Sequence, residues 1–507
     1  MDMLRGFRDY CARKPLRVLV VYLAFAALFG MWCFHHMVTF DAEGFFSLEN
    51  GAKWYDQWIV LGRWGFVALK RVLRVVAINP YFSNAFFLLL FPLSALVWGF
   101  AFERWMGDER PAWVCVLFCA LFLSHPIWAL QFAYRNQMEV MSVALVLAPV
   151  GMLMLGEFLD GRGRSFGIGA FAVATLLFGC YQSFIFVYVE AVCILLFLRA
   201  RSGKAERPWR DLLVCVGIVV AAFAVSTLIG KAVLLISGVP NENSYLTNQF
   251  MWGKRPFVEN VKRILVYIKH SAFGDGIQYG ATFAVEGIAL IGIFVAMARK
   301  GQVRLGFVAF MLFGILASPF VLEIVTAGDV VIRSQFAFVL ALAFLGAFEV
   351  DLLAELLCAR GRGVVPVLVV SAVALAAVVF QTQQQSRLLY TDVQTMDKDR
   401  ETMTQVYYQA MAQGSRPGDA LCLLGPLPTR ETDDLTESEV IGFSYFEVSS
   451  FYGPNKTIEA MQAYGFDVSF PTQEQLEAAG AEYESLEVWP HAGAIKVHDG
   501  FYVVRLW

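Results

Sequence analysis

Nine separate runs of this chain stay apolar for as long as a bilayer is thick, and that pattern points to a helical membrane protein. They cover residues 16–36, 81–102, 112–128, 138–158, 212–237, 281–298, 305–322, 336–356 and 364–380. A helix needs about 17 to 25 such residues to cross the hydrocarbon core. A further run, 166–198, has 33 residues and as one helix would measure about 50 Å, too long for a ~30 Å core. It should break at "GCYQS", 179–183, into two short helices. The expected architecture is a polytopic α-helical membrane protein with a bundle of about 11 transmembrane helices. With 58% hydrophobic and only 16% charged residues, a soluble fold could not hide this much apolar surface.

An odd number of spans puts the termini on opposite sides, and charge decides which. Arg5, Arg8, Arg13, Lys14 and Arg17 precede or open the first span, and Arg199, Arg201, Lys204, Arg207 and Arg210 fill a later loop. The intervening short loops hold only Arg135 and Arg333. By the positive-inside rule the N-terminus is cytoplasmic and the C-terminus outside. The first run lacks a small-residue cleavage site and reads as a retained helix. Most of the cysteines lie inside apolar runs, as small core residues.

The outer surface carries the polarity. Loops 37–80 and 238–280 each contain a basic amphipathic stretch, at 58–77 and 256–270. Such helices lie in the interface plane; they either seat the protein on anionic headgroups or frame an entrance for a phosphate-bearing lipid. Residues 1–382 then form the membrane domain and 383–507 a small α+β domain outside. In the latter, strand-like "DALCLLG" and a closing hairpin around Asp499-Gly500 stand out.

Asp41 and Glu43 follow the first span directly. An outward Asp-x-Glu can supply a general base, and a nearby guanidinium could hold a leaving phosphate; the plainer reading is a pair of solvated loop acids. Arg135 and Arg333 run against the topogenic rule, and anion binding is the simplest local reason. Lys231, Glu190 and Glu286 are intramembrane ionisable groups, either functional or, for Lys231 and Glu286, a satisfied pair between helices. Tyr181 and Gln182 either bond a substrate hydroxyl or cap a turn. Trp54, Trp58 and Trp64 either stack on sugars or anchor at the interface. His35 and His36 precede the acids, but adjacent histidines point to different helix faces, so no metal site is assigned.

The stretches "FDAEGFFSLENGAKWYDQWIVLGRWG", "AYRNQMEVMSVAL", "GCYQSFIFVYVEA", "GDVVIRSQFAF" and "FYGPNKTIEAMQAYGFDV…VWPHAGAIKVHDGFYVVRL" occur in order along nearly the whole chain. Together they resemble the type-II Gtr glucosyltransferases, which decorate O-antigen. The resemblance implies a GT-C-like membrane glycosyltransferase of the bacterial inner membrane with a periplasmic active site. It would move a sugar, typically glucose, from a polyprenyl-phosphate donor to a lipid-linked glycan, inverting the anomeric carbon. Asp41 would then be the base, with Glu43 its orienting partner or alternate. Arg63, Arg135 or Arg333, helped by Lys231, would hold the phosphate, and Trp64, Asn136, Glu139, Tyr181 and Gln182 would line the sugar or acceptor site. The chemistry requires no divalent cation or other cofactor. The competing class is a transporter or flippase for a lipid-linked sugar, against which the chain shows no symmetric halves.

Overall fold

The computed structural model describes the chain apart from residues 1, 36–37, 40, 47, 76, 108–110, 241–248, 274–286, 288–289, 291, 293–304, 328–329, 359–364, 428–437 and 448–454. A short amphipathic helix, α1 (Asp2–Arg13), leads into the first apolar helix, α2 (Pro15–His35). Two short helices follow, α3 (Leu48–Val60) and α4 (Trp64–Val72). The bundle continues through α5 (Pro80–Met106), α6 (Ala112–Leu123), α7 (Ile127–Ala133), α8 (Met138–Leu159), α9 (Arg164–Cys180), α10 (Phe184–Arg201) and α11 (Pro208–Ser237). Then come α12 (Phe257–Phe273), α13 (Leu305–Ala317), α14 (Val321–Thr326), α15 (Phe336–Cys358) and α16 (Val365–Ala412).

Six described helices or helix pairs are long and apolar enough to cross a membrane, or seven if the pair α6 and α7 counts as one span bent by 54°. The protein is a multi-pass helical membrane protein. Pro126 separates α6 from α7, so the expected single run 112–128 is two helices. The break expected at 179–183 is present: α9 stops at Cys180 and α10 starts at Phe184. The expected run 281–298 lies almost wholly outside the described residues. α5 is the spine of the bundle, packed most extensively on α8. Asn79 caps it by accepting from the Phe82 amide at 3.2 Å, Pro80 opens it, and Gly107 at φ +81° ends it.

The amphipathic stretch expected over 58–77 is instead two helices, because Gly62 turns the chain at φ +74°. This lets α4 lie against α9, where a Cβ on Gly65 would stand 2.6 Å from the Leu176 carbonyl oxygen. Lys70, one of the basic residues of this stretch, is fully buried. The second amphipathic stretch is α12, which exposes Phe257, Val258, Leu265 and Phe273.

α16 has 48 residues, about 72 Å at the helical rise. Its first part exposes Leu368, Val373, Leu375 and Val379. Its middle docks polar groups on the bundle: Ser124 Oγ donates to Gln381 at 3.0 Å, Gln385 donates to the His125 carbonyl at 3.2 Å, and Trp32 Nε1 donates to Asp392 at 2.8 Å. The boundary placed at 382/383 therefore falls inside one unbroken helix, since no Gly or Pro occurs between Pro366 and Gly414. Beyond it lie β1 (Ala420–Leu424), α17 (Asn455–Ala463), α18 (Gln473–Ala481), β2 (Ile495–His498) and β3 (Phe501–Arg505). The sheet order is β1-β3-β2, with β1 parallel and β2 antiparallel to β3. The hairpin turns at Asp499-Gly500 as its sequence indicated, with Gly500 at φ +81°. Met396, Met403 and Val406 of α16 share a core with Leu421, Tyr445, Ile458 and Val504.

Candidate active site

The site is built where α2 ends. Asp41 takes a left-handed backbone, φ +63°, a conformation costly for a residue with a Cβ and persistent only where its surroundings impose it. The surroundings do so here: Asn136 Nδ2 donates to the Asp41 carbonyl at 3.1 Å, and the Ala42 amide to the Thr39 carbonyl at 2.9 Å. A single 3-10 turn, Glu43–Phe45, follows. The turn carries the Glu43 side chain inward, to complete burial, while the Asp41 side chain keeps 25% of its surface exposed.

One ammonium joins the two acids. Lys456, in the first turn of α17, donates to Asp41 Oδ1 at 2.5 Å and to Glu43 Oε1 at 2.6 Å. Its Nζ lies 4.7 Å from the centre of the Trp54 ring. Tyr445 Oη donates to the other Glu43 oxygen at 3.2 Å. Tyr445 is itself held by α16: its amide donates to Asp399 at 2.6 Å, as does Ser444 Oγ to the second Asp399 oxygen at 2.6 Å. Thr457 Oγ1 donates to the Tyr445 carbonyl at 3.0 Å and closes the linkage back to α17.

Burial pushes the Glu43 carboxyl up to about 7, with the attraction of Lys456 opposing and the nearby Asp41 charge adding to the rise. Burial works against the Lys456 ammonium too, but Glu43 and Asp41 outweigh it and hold its pKa above the ordinary lysine value. Glu43 is therefore only partly ionised near neutral pH.

Two guanidiniums stand over two tyrosines, and one of these tyrosines, Tyr134, is within electrostatic reach of Asp41. Arg333 lies 4.4 Å from the Tyr134 ring centre and Arg63 4.5 Å from that of Tyr181. Burial keeps the Tyr134 hydroxyl neutral, and Arg333, Asp41, Glu439 and Tyr181 are all within electrostatic reach of it. Arg333 is paired with Glu439 at 2.5 Å.

Other residues singled out in the sequence sit apart from this group. Arg135 is fully buried, donates to the Asn84 side chain and to the Trp32 carbonyl at 3.2 Å, and stacks 4.0 Å from the Trp32 ring. Its guanidinium ties α2 to α5 and faces no open surface. Glu139 is equally buried, ion-paired with Lys70 at 2.8 Å and accepting from Ser83. Trp64 donates Nε1 to the Ser226 carbonyl at 3.0 Å and packs on Gly179. Gln182 donates to the Leu61 carbonyl at 2.7 Å, which locks the α9–α10 turn onto the end of α3. Trp58 is core, 5.0 Å from the Phe45 ring. Lys231 is exposed on α11. Glu190 is buried and accepts from Ser318. His35 turns to Asp397 at 2.9 Å. His36 and Glu286 lie outside the described residues. Among the described residues no group of three metal-ligating side chains is assembled.

Lys456, Tyr445, Glu439 and Tyr134 were not singled out from the sequence. Lys456 carried one usable signal: a cation in the first turn of a helix opposes the macrodipole and requires a local anion.

No curated protein matches the chain. A family model described as Glucosyl transferase GtrII matches residues 37–349, from just before Asp41 to beyond Arg333. That span is more than half of the chain and contains both acids and both stacked guanidiniums; the chain belongs to the GtrII glucosyltransferase family.

Proposed function

We propose that this glucosyltransferase draws its sugar from a polyprenyl-phosphate donor and passes it to a lipid-linked glycan on the outer face of the bacterial inner membrane. The observation that carries the proposal is the Asp41–Lys456–Glu43 clamp, with Asp41 and Arg333 both within electrostatic reach of Tyr134. Asp41 presents a partly exposed carboxylate on a rigid turn, as a general base must. Glu43 is buried and orients it through the shared ammonium. Arg333, with Arg63 across the tyrosine pair, supplies planar donors for a leaving phosphate. In the reaction Asp41 takes the proton of the acceptor hydroxyl, whose oxygen bonds the anomeric carbon as the bond to the phosphate oxygen breaks. Attack from the side opposite the phosphate inverts that carbon.

Eleven crossings, with the N-terminus inside and β1–β3 outside, accord with the charge distribution. The polyprenyl chain would lie between helices near α12, whose exposed apolar face suits the interface. No step here calls for a metal ion or other cofactor.

The test uses proteoliposomes with polyprenyl-phosphate glucose and lipid-linked glycan. Wild type should release polyprenyl phosphate only when the acceptor is present. Asp41→Asn, folded as wild type, should lower kcat by about 10²–10⁴, the usual contribution of a general base. Full activity of that variant would remove Asp41 from the role, and no turnover with any prenyl-phosphate sugar would favour translocation over catalysis.

A further inference from the structure

Glu439 meets Arg333 as a bound anion would. One carboxylate oxygen accepts from the Arg333 backbone amide at 3.0 Å and the other from Nη1 at 2.5 Å. Two oxygens on two convergent donors is also how a phosphate is held. Tyr134 covers the face of the guanidinium, so an incoming anion has its edge to compete for. Glu439 comes from 106 residues downstream. Its backbone is left-handed at φ +53°, inside the narrow reciprocal pairing of Ser438 with Ile441. Such a conformation stores strain in a residue with a Cβ. The segment is thus held in an unfavourable shape while its side chain fills the cation.

We propose that Glu439 is an internal occupant of the phosphate seat at Arg333, displaced when the phosphate of a polyprenyl-linked lipid, donor or product, binds. This rests on the reading of Arg333 as that seat. Two anions do not share one guanidinium edge, because like charges at contact repel strongly in a half-buried setting. The seat is free only when Glu439 has left it, so the apparent affinity for phosphate is the intrinsic affinity scaled by that fraction. Donor binding then has a structural consequence: the 438–441 turn releases, and its strained backbone relaxes. In the empty protein Glu439 spares Arg333 an uncompensated charge and keeps smaller anions out.

The experiment measures binding of polyprenyl monophosphate to the full chain in nanodiscs, together with KM and kcat for the polyprenyl-phosphate sugar. Glu439→Gln should bind on the order of tenfold more tightly, with a KM lowered to match, because the competing charge is gone. Arg333→Gln should lose the binding. If Glu439→Gln binds no better than wild type while Arg333→Gln fails to bind, the seat stands and the internal occupant is overturned. If Arg333→Gln binds as wild type, the seat itself is wrong. Thermal unfolding in the same nanodiscs checks the fold. Should Glu439→Gln melt early, Glu439→Asp decides, because its shorter arm keeps the charge but loosens the grip; it too must bind more tightly than wild type, and equal or weaker binding overturns the proposal.

Discussion

At the scale of single residues, the acids and cations that break a rule were the visible ones. Asp41 and Glu43 stand out because they follow an apolar run at once, and Arg333 because it sits in a short loop on the side where cations are scarce. Arg135 broke the same rule for a different reason, a buried tie between helices, and sequence does not distinguish an arginine that binds a substrate from one that binds its own backbone. Lys456 was hidden because its partners lie 413 and 415 residues upstream. The clamp makes a prediction at this scale. With Glu43 pushed up to about 7, Glu43 carries a proton below that pH, and the clamp that orients Asp41 is complete only once that proton is lost. For wild type, kcat/KM should therefore rise with pH through about 7. Glu43→Gln removes the titrating carboxylate and should abolish this acid limb near 7. A limb that stays in place in the variant would mean that another group titrates.

Among the elements, helix length and breakers were legible. The 33-residue run had to fold back, and it does so at the polar tip where Tyr181 and Gln182 sit. The shift to polar composition after Phe380 was misleading, because the apolar composition of α16 ends there without ending the helix. The consequence is that Asp399, well along α16, positions the Tyr445 turn and through it α17 and Lys456. Asp399→Asn would set an amide NH₂ or a poorer acceptor against the Tyr445 amide. One lost hydrogen bond to a charged group, about 1.5–3 kcal/mol, is enough to loosen the turn. The expected outcome is a fall in kcat on the order of tenfold or more, with KM for the donor little changed. The acid limb of the pH profile should also move to higher pH, because Lys456 withdraws from the two carboxylates. A lower kcat with an unshifted profile would reduce Asp399 to general support of the fold.

For the molecule as a whole, the match to the family ends at residue 349, yet the candidate site is completed by Glu439, Tyr445 and Lys456 from beyond it. The two parts are joined through α16, whose polar middle is pinned to α2 and α6 while its far end forms part of the core under the sheet. A rigid helix of this length transmits position from one part to the other, and a break in it should uncouple them. Gln383 is exposed on α16, just before the pinned Gln385. Gln383→Pro removes a helical hydrogen bond and sets the ring against the carbonyl four residues earlier, a cost of about 3 kcal/mol. The far half of α16 would then swing away from its line, carrying Asp399 and the Lys456 clamp with it. Activity in proteoliposomes should fall on the order of a hundredfold, the equivalent of that cost at about 1.4 kcal/mol per factor of ten. Gln383→Ala, which keeps the helix, should work as wild type. Limited proteolysis of both variants separates the outcomes: faster cleavage beyond residue 412 in the proline variant alone is the sign of uncoupling, and full activity with unchanged cleavage would show that the clamp is held from its own end, without help from α16.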